Sequence, residues 1–139
     1  MKINVFVTLL PIFLGFTGVA QATMIVPKPK TCPAVAAITA IGVSRNVQPN
    51  GEDLWVAGRR DQQYGTIDDW TFLIGNIPAT GIDQAYHEAT SALASLAFQK
   101  GPLTGPLSKW LCYYTTLQGY TAVTINPPIV SNENMYLMD

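Results

Sequence analysis

The sequence predicts an α+β protein: a five-stranded, mainly antiparallel sheet with one long helix packed on one face. Two observations predict this fold class. Segments rich in β-branched and aromatic residues alternate with turn signals, which is typical of strands. One uninterrupted stretch instead places its apolar residues at helical spacing, between a capping threonine and a Gly-Pro pair. The predicted order of elements along the chain is βββ-α-ββ.

The five predicted strands share a high content of Val, Ile, Thr and aromatic residues, and they are 35–47, 53–60, 70–77, 109–117 and 120–125. We interpret Gly42 as a possible bulge in the first of them. In the third, Trp70, Phe72 and Ile74 alternate along the chain and therefore share one face. The last two strands are predicted to form a hairpin around Gln118-Gly119.

The long helix is predicted over residues 80–101, TGIDQAYHEATSALASLAFQKG. Thr80 and Asp83 provide a start that resembles a capping box, and Gly101 with Pro102 provides a stop. The apolar stripe between them is rich in alanine. We therefore expect this helix to lie close against the sheet.

The first residues of the chain have the features of a secretory signal peptide, predicted over residues 1–22. Lys2 gives a short positive region, and Val5–Val19 is almost entirely apolar. An A-x-A site follows, so we expect cleavage between Ala22 and Thr23. The apolar run is short for a spanning helix, so we expect no stable membrane span after cleavage. These features predict export to the periplasm or to the cell exterior.

Removal of residues 1–22 leaves 117 of the 139 residues, enough for a single domain with its own core. We predict an extended lead-in at 23–31, one domain at 32–128 and a C-terminal tail at 129–139. The loss of one lysine changes the formal charge from −1 to −2. Arg59-Arg60 is the only basic doublet, which argues against nucleic acid as a partner.

The mature chain has two cysteines, Cys32 and Cys112. In an oxidising compartment they are expected to form one disulfide across 80 residues. A metal site or a catalytic thiol is the less favoured alternative, since the chain has no C-x-x-C spacing and a single histidine. The disulfide would tie the start of the first predicted strand to the fourth, so these two strands should be neighbours.

The sequence does not favour an enzyme. A serine triad needs a histidine and a nucleophile brought together, but the chain has no G-x-S-x-G motif and His87 is its one histidine. The carboxylate pairs Asp68-Asp69 and Glu52-Asp53 are adjacent residues that point apart, as is usual in solvated turns. We therefore predict a protein without enzymatic activity.

A binding role is suggested by the many aromatic residues and by four candidate haem contacts. His87 or Tyr86 could supply an axial ligand to iron. Arg59 and Arg60 could pair with the propionates. The alternatives are ordinary: His87 as a solvated helix residue, and the two arginines as the solvated end of a strand. About 100° of helix separates Tyr86 from His87, which argues against a joint site.

Four segments, TCPAVAAITAIGVS, WVAGRRD, DDWTFLIG and KWLCYYTTLQGY, together with the predicted helix, resemble a family of small exported bacterial proteins of uncharacterised domain type. Some of its members are named haemin-binding protein, and the likeness spans about Thr31 to Pro127. The resemblance implies haemin binding without defining a ligand residue. The second hypothesis is a secreted interaction module with no haem role, which docks on a host or envelope protein through a sheet edge or an aromatic face.

Overall fold

The computed structural model describes residues 26–130. The predicted signal peptide at 1–22, its cleavage bond between Ala22 and Thr23, and most of the predicted tail at 129–139 lie outside the described residues. Between residues 26 and 130, none of the helices combines the length and the apolar character that crossing a membrane requires.

The described chain forms one six-stranded sheet with a short and a long helix. The helices are α1 (Val35–Ile41) and α2 (Ile82–Ala92), and the strands are β1 (Gln48–Pro49), β2 (Leu54–Gln62), β3 (Trp70–Pro78), β4 (Ala97–Thr104), β5 (Trp110–Thr115) and β6 (Thr121–Asn126). The strand order is β1-β2-β3-β6-β5-β4, and all neighbouring strands are antiparallel. The predicted five-stranded sheet and its βββ-α-ββ order are therefore wrong.

The predicted first strand at 35–47 begins as helix α1 instead. Three alanines favour the helix, and their propensity outweighs that of the β-branched residues between them. Gly42 is not a bulge. It has φ of +76°, and its N–H donates to the carbonyl of Ile38, so it ends α1 in a conformation that glycine adopts easily. Only Ile38 of this helix is buried.

The long helix is shorter than predicted. Helix α2 ends at Ala92 and is followed by a single 3-10 turn. The chain then continues as the edge strand β4. Gly101-Pro102 therefore lies inside β4 and does not end a helix. Pairing with β5 outweighs the helical periodicity here, because it places Phe98 against the Tyr114 ring and Lys100 over the Tyr113 ring.

The start of α2 also differs from the prediction. Gly81 is the N-cap residue, and as a glycine it has no side chain to accept a hydrogen bond from the first turn of the helix. The N–H and hydroxyl of Thr80 both donate to Oε1 of Gln84, at 2.8 and 2.9 Å. The glutamine therefore reaches back to the residue before the cap, and Asp83 does not complete the predicted box.

Several predictions of local structure are confirmed. Strands β5 and β6 form the predicted hairpin. Trp70, Phe72 and Ile74 are buried in one cluster. Cys32 and Cys112 form the disulfide, with their Cα atoms 5.9 Å apart. The bond ties the chain just before α1, rather than a first strand, to β5.

The centre of the sheet is buried on both faces. Phe72 belongs to a cluster on the helix side with the alanines of α2, whereas its neighbour Leu73 belongs to a second cluster on the opposite face. The chain after β6 contributes Ile129 to this second cluster, and the Ile129 N–H donates to the Thr71 hydroxyl. Nζ of Lys109 donates to the carbonyls of Pro127 and Pro128, which holds the returning segment in place.

Candidate functional site

The extended segment that leads from α1 into the first residue of β1, residues 43–48, lies between two candidate sites. It runs beside β2, where the Ser44 N–H donates to the Gly58 carbonyl at 2.7 Å. Val43 and Val47 are buried in the helix-side cluster. The residues between and after them, Ser44, Asn46 and Gln48, line a groove. The segment thus extends the sheet edge and separates the helix side from the groove.

The first candidate site is an arginine–aromatic patch, which we define as Arg45, Tyr86 and His87. The guanidinium of Arg45 lies 4.6 Å from the centroid of the Tyr86 ring. The Tyr86 and His87 rings meet edge to face, with centroids 5.9 Å apart and planes at 64°. Tyr86 is half-buried, whereas Arg45 and His87 are exposed. The angular separation on the helix therefore does not keep the two rings apart.

Arg59 lies behind this patch, on the helix side of the sheet. Its Nη2 donates to the carbonyl of Val43 at 3.4 Å. Its Nε and the hydroxyl of Tyr64 are buried, and neither has a hydrogen-bond partner among residues 26–130. Burial raises the pKa of Tyr64 far above its usual range, and the charge of Arg59 opposes part of that rise. Arg59 is thus a partly buried residue whose guanidinium contacts the Val43 carbonyl, and its pairing with a propionate stays a prediction.

Arg60 belongs to a different site, a groove of about 450 Å³ on the face opposite α2. The groove is lined by Ser44, Asn46, Gln48, Val56, Gly58, Arg59, Arg60 and Leu73. Arg59 contributes to its wall, but the Arg59 guanidinium reaches Val43 instead. Adjacent residues of a strand point to opposite faces. The side chains of Arg59 and Arg60 therefore leave the strand in opposite directions, although both residues line the groove.

The remaining aromatic residues are mostly structural. The Tyr114 hydroxyl is buried and donates to the Pro33 carbonyl at 2.6 Å, and burial raises its pKa to about 12. The Tyr120 hydroxyl donates to Glu88, and its pKa is raised by burial and by that carboxylate. All three tryptophan indoles donate to oxygen atoms of the protein. These rings do not form one flat exposed face.

Arg45 is the residue of the patch that sequence reasoning missed. Nothing local marks it, because its place over Tyr86 depends on where α1 ends. In the part of the chain that the structure describes, no three His, Cys, Asp or Glu side chains are grouped closely enough to hold a metal ion. Both cysteine sulfurs are in the disulfide.

No protein family, curated protein or solved structure matches the chain. The resemblance to exported haemin-binding proteins therefore stays a prediction.

Proposed function

We propose that the mature protein is an exported, non-enzymatic binding protein that takes haemin at the arginine–aromatic patch. The observation that carries this proposal is that Tyr86 contacts both the guanidinium of Arg45 and the ring of His87, two exposed side chains. Tyrosine and histidine both ligate haem iron, and arginine pairs well with carboxylates such as the propionates. Arg45 takes this role in place of Arg59 and Arg60, whose positions are described above.

Two further observations support the proposal. The Cys32–Cys112 disulfide is typical of a protein that folds in an oxidising compartment, in agreement with the predicted signal peptide. The bond also occupies both thiols, so neither is free to act as a nucleophile. The resemblance to haemin-binding proteins supplies the identity of the ligand.

A haemin titration of the mature chain, followed in the Soret band, tests this proposal. We expect saturation near one haemin per chain and loss of the shift in a Tyr86→Phe, His87→Ala double variant. Arg45→Gln should weaken binding about tenfold, because a charge-assisted hydrogen bond is lost. Lys30→Gln removes the same charge from an exposed position in the lead-in and serves as the control.

Adsorption of haemin without saturation would contradict the proposal. So would a Soret shift that the double variant leaves unchanged.

The second candidate function is a secreted protein-interaction module, and the edge strand β4 favours it. In the described sheet, β4 has a strand neighbour on one side only. Phe98 and Leu103 of this strand are large apolar residues that remain exposed, and Leu107 follows them. An edge with exposed apolar side chains can pair with a strand of another protein.

Capture of a saturable partner from host lysate or envelope extract tests this second function. Capture should be lost in a Phe98→Lys, Leu103→Lys variant and retained in Leu117→Lys, which changes an exposed leucine elsewhere. Equal capture of the partner by the wild type and by both variants would exclude the β4 edge as the docking surface.

A further inference from the structure

We propose that Asn50 is a site of spontaneous chemical modification, at which the folded protein converts a side-chain amide into a carboxylate. The reacting groups belong to the dipeptide Asn50-Gly51, in the turn at residues 50–53 between β1 and β2. The only co-reactant is water from the solvent. The proposal therefore depends neither on haemin binding nor on a protein partner.

The chemistry is an attack of the main chain on the neighbouring side chain. The Gly51 nitrogen bonds to Cγ of Asn50, and the side-chain nitrogen leaves as ammonia with the proton that the Gly51 nitrogen gives up. The product is a succinimide ring. Water then opens the ring at one of its two carbonyl groups. One opening gives aspartate, and the other gives isoaspartate, whose main chain runs through the former side chain.

The nucleophile of this reaction, the Gly51 nitrogen, is free to attack. Among residues 26–130 its N–H donates to no acceptor, whereas the Asn50 N–H donates to the Leu54 carbonyl at 2.8 Å. Gly51 is exposed, and a Cβ atom at its position would come no closer than 4.0 Å to a Leu54 methyl carbon. Glycine itself adds no side chain beside the nitrogen. No neighbouring group therefore obstructs ring closure.

The electrophile, the side-chain amide of Asn50, is also unrestrained. It makes no hydrogen bond among the described residues, so it can rotate toward the Gly51 nitrogen. The turn is instead held at its two ends. One hold is the Asn50 bond to Leu54, and the other is the Ala79 N–H, which donates to the Asp53 carbonyl at 3.1 Å. The two reacting groups thus stay adjacent in a turn whose middle is free to rotate.

Two other asparagines of the described chain lack a free nucleophile. Asn126 precedes Pro127, whose nitrogen carries no proton to give up. Asn46 precedes Val47, whose N–H already donates to the Arg45 carbonyl at 2.9 Å. Neither of these two asparagines is therefore expected to form the ring in the folded protein.

The fourth described asparagine, Asn76, lies within a strand. The next residue, Ile77, is fully buried and pairs with Trp55 of β2. Its nitrogen cannot leave the sheet to meet a side chain. Only Asn50 combines an unbound amide with an exposed, unbound nitrogen on the next residue.

The two products change the turn differently. Aspartate at this position adds a negative charge close to Glu52 and Asp53, and the formal charge of the mature chain changes from −2 to −3. Isoaspartate also lengthens the main chain by one methylene group, directly after β1. This strand pairs with β2 only at Gln48 and Pro49. The added methylene should therefore detach β1 from β2.

The test is a timed incubation of the folded mature protein in mildly alkaline buffer, followed by peptide mapping in a mass spectrometer. We expect the mass gain of an NH2-to-OH exchange, and fragmentation of the peptide should assign it to Asn50. The rate should exceed that at the other three described asparagines at least about tenfold. Mildly acidic buffer should slow the reaction, because the attacking nitrogen must lose a proton.

Two variants serve as matched controls. Asn50→Gln keeps an amide but would have to close a larger ring, so the mass gain at this position should disappear. Freshly purified Asn50→Asp has the charge of the product and a normal main chain. Aged wild type should show faster amide hydrogen exchange over residues 48–56 than this variant, since only isoaspartate lengthens the turn.

Three results would overturn the proposal. The first is a mass gain at Asn50 that occurs only after unfolding in urea. The second is an equal rate at Asn46 or Asn76 in the folded protein. The third is a mass gain that Asn50→Gln leaves unchanged, which would place the reaction elsewhere in the chain.

Discussion

Two buried tyrosines, Tyr64 and Tyr114, differ in whether the hydroxyl group has a hydrogen-bond partner. Their side chains are 3% and 2% exposed. The Tyr114 hydroxyl donates to the Pro33 carbonyl, whereas the Tyr64 hydroxyl has no partner among the described residues. A buried hydroxyl stabilises the fold only when it is paired, and an unpaired one opposes folding. The same chemical group therefore has opposite effects at the two positions.

Removal of each hydroxyl tests this difference. Tyr64→Phe should leave the free energy of unfolding unchanged or raise it by up to about 1 kcal/mol. Tyr114→Phe should lower it by about 1–3 kcal/mol, because the Pro33 carbonyl then lacks its donor. Urea unfolding followed by tryptophan fluorescence gives both values. Equal destabilisation by the two substitutions would show that the Tyr64 hydroxyl is paired in solution.

At the scale of elements, local patterns predicted four strands correctly and failed for two segments, the helix α1 predicted as a strand and the strand β4 predicted as a helix. The strands β2, β3, β5 and β6 lie close to their predicted ranges, because each carries a strong local pattern bounded by turn signals. The segment of β4 continues the helical periodicity of α2, so only its pairing with β5 distinguishes it. That pairing is a non-local interaction, which no local pattern contains.

The same distinction applies to the candidate sites. Tyr86 and His87 are adjacent in the sequence, but their angular separation on the helix led to the prediction of separate locations, whereas their rings meet edge to face. Arg45 was not predictable, because its position follows from the end of α1 at Gly42. The separation of Arg59 from Arg60 could have been predicted from the two-residue period of a strand. The groove could not be predicted from sequence, because it forms only when β2 pairs with β3 and with segment 43–48.

Gly101 in β4 shows how strongly the edge strand depends on a close approach. Its φ is +134°, and a Cβ atom there would lie 2.7 Å from the Leu111 carbonyl oxygen and 2.8 Å from Cα of Cys112. Gly119 in the β5–β6 turn has φ of +83° and no atom within 4 Å of such a Cβ. At both positions the positive φ would strain an alanine. Only at Gly101 would the alanine Cβ atom also collide with neighbouring backbone atoms.

Alanine substitutions at these two glycines should therefore differ. Gly119→Ala should lower the free energy of unfolding by about 1 kcal/mol through strain alone. Gly101→Ala should lower it by about 3 kcal/mol or more, since overpacking adds to the strain. Thermal or urea unfolding measures both. A smaller loss at Gly101 than at Gly119 would mean that β4 can move away from β5 without penalty.

At the scale of the whole molecule, the disulfide and the apolar clusters on the two faces of the sheet stabilise the fold. Apolar clusters lie on both sides of β3, so its central residues contact side chains above and below. The disulfide links the chain before α1 to β5 across 80 residues. It thereby restricts the unfolded chain over most of the described domain.

Removal of this bond should therefore be costly. The chain-entropy relation gives about 4–5 kcal/mol for a loop of this size. A Cys32→Ser, Cys112→Ser variant should unfold at a much lower urea concentration than the oxidised protein. The wild type in excess dithiothreitol should behave like the variant, which controls for the substitutions. Coincident unfolding curves for oxidised and reduced protein would contradict the prediction.

The disulfide also sets how the domain responds to mechanical tension. If the described chain is pulled from its two ends, the force passes from residue 32 directly to residue 112 through the bond. The 18 residues from 113 to 130 can then lengthen to about 60 Å, whereas the 80-residue loop, which would add about 270 Å, cannot be drawn out. That loop contains the arginine–aromatic patch and the turn at Asn50. Stretching can therefore detach β6 but cannot pull either proposed site into an extended chain.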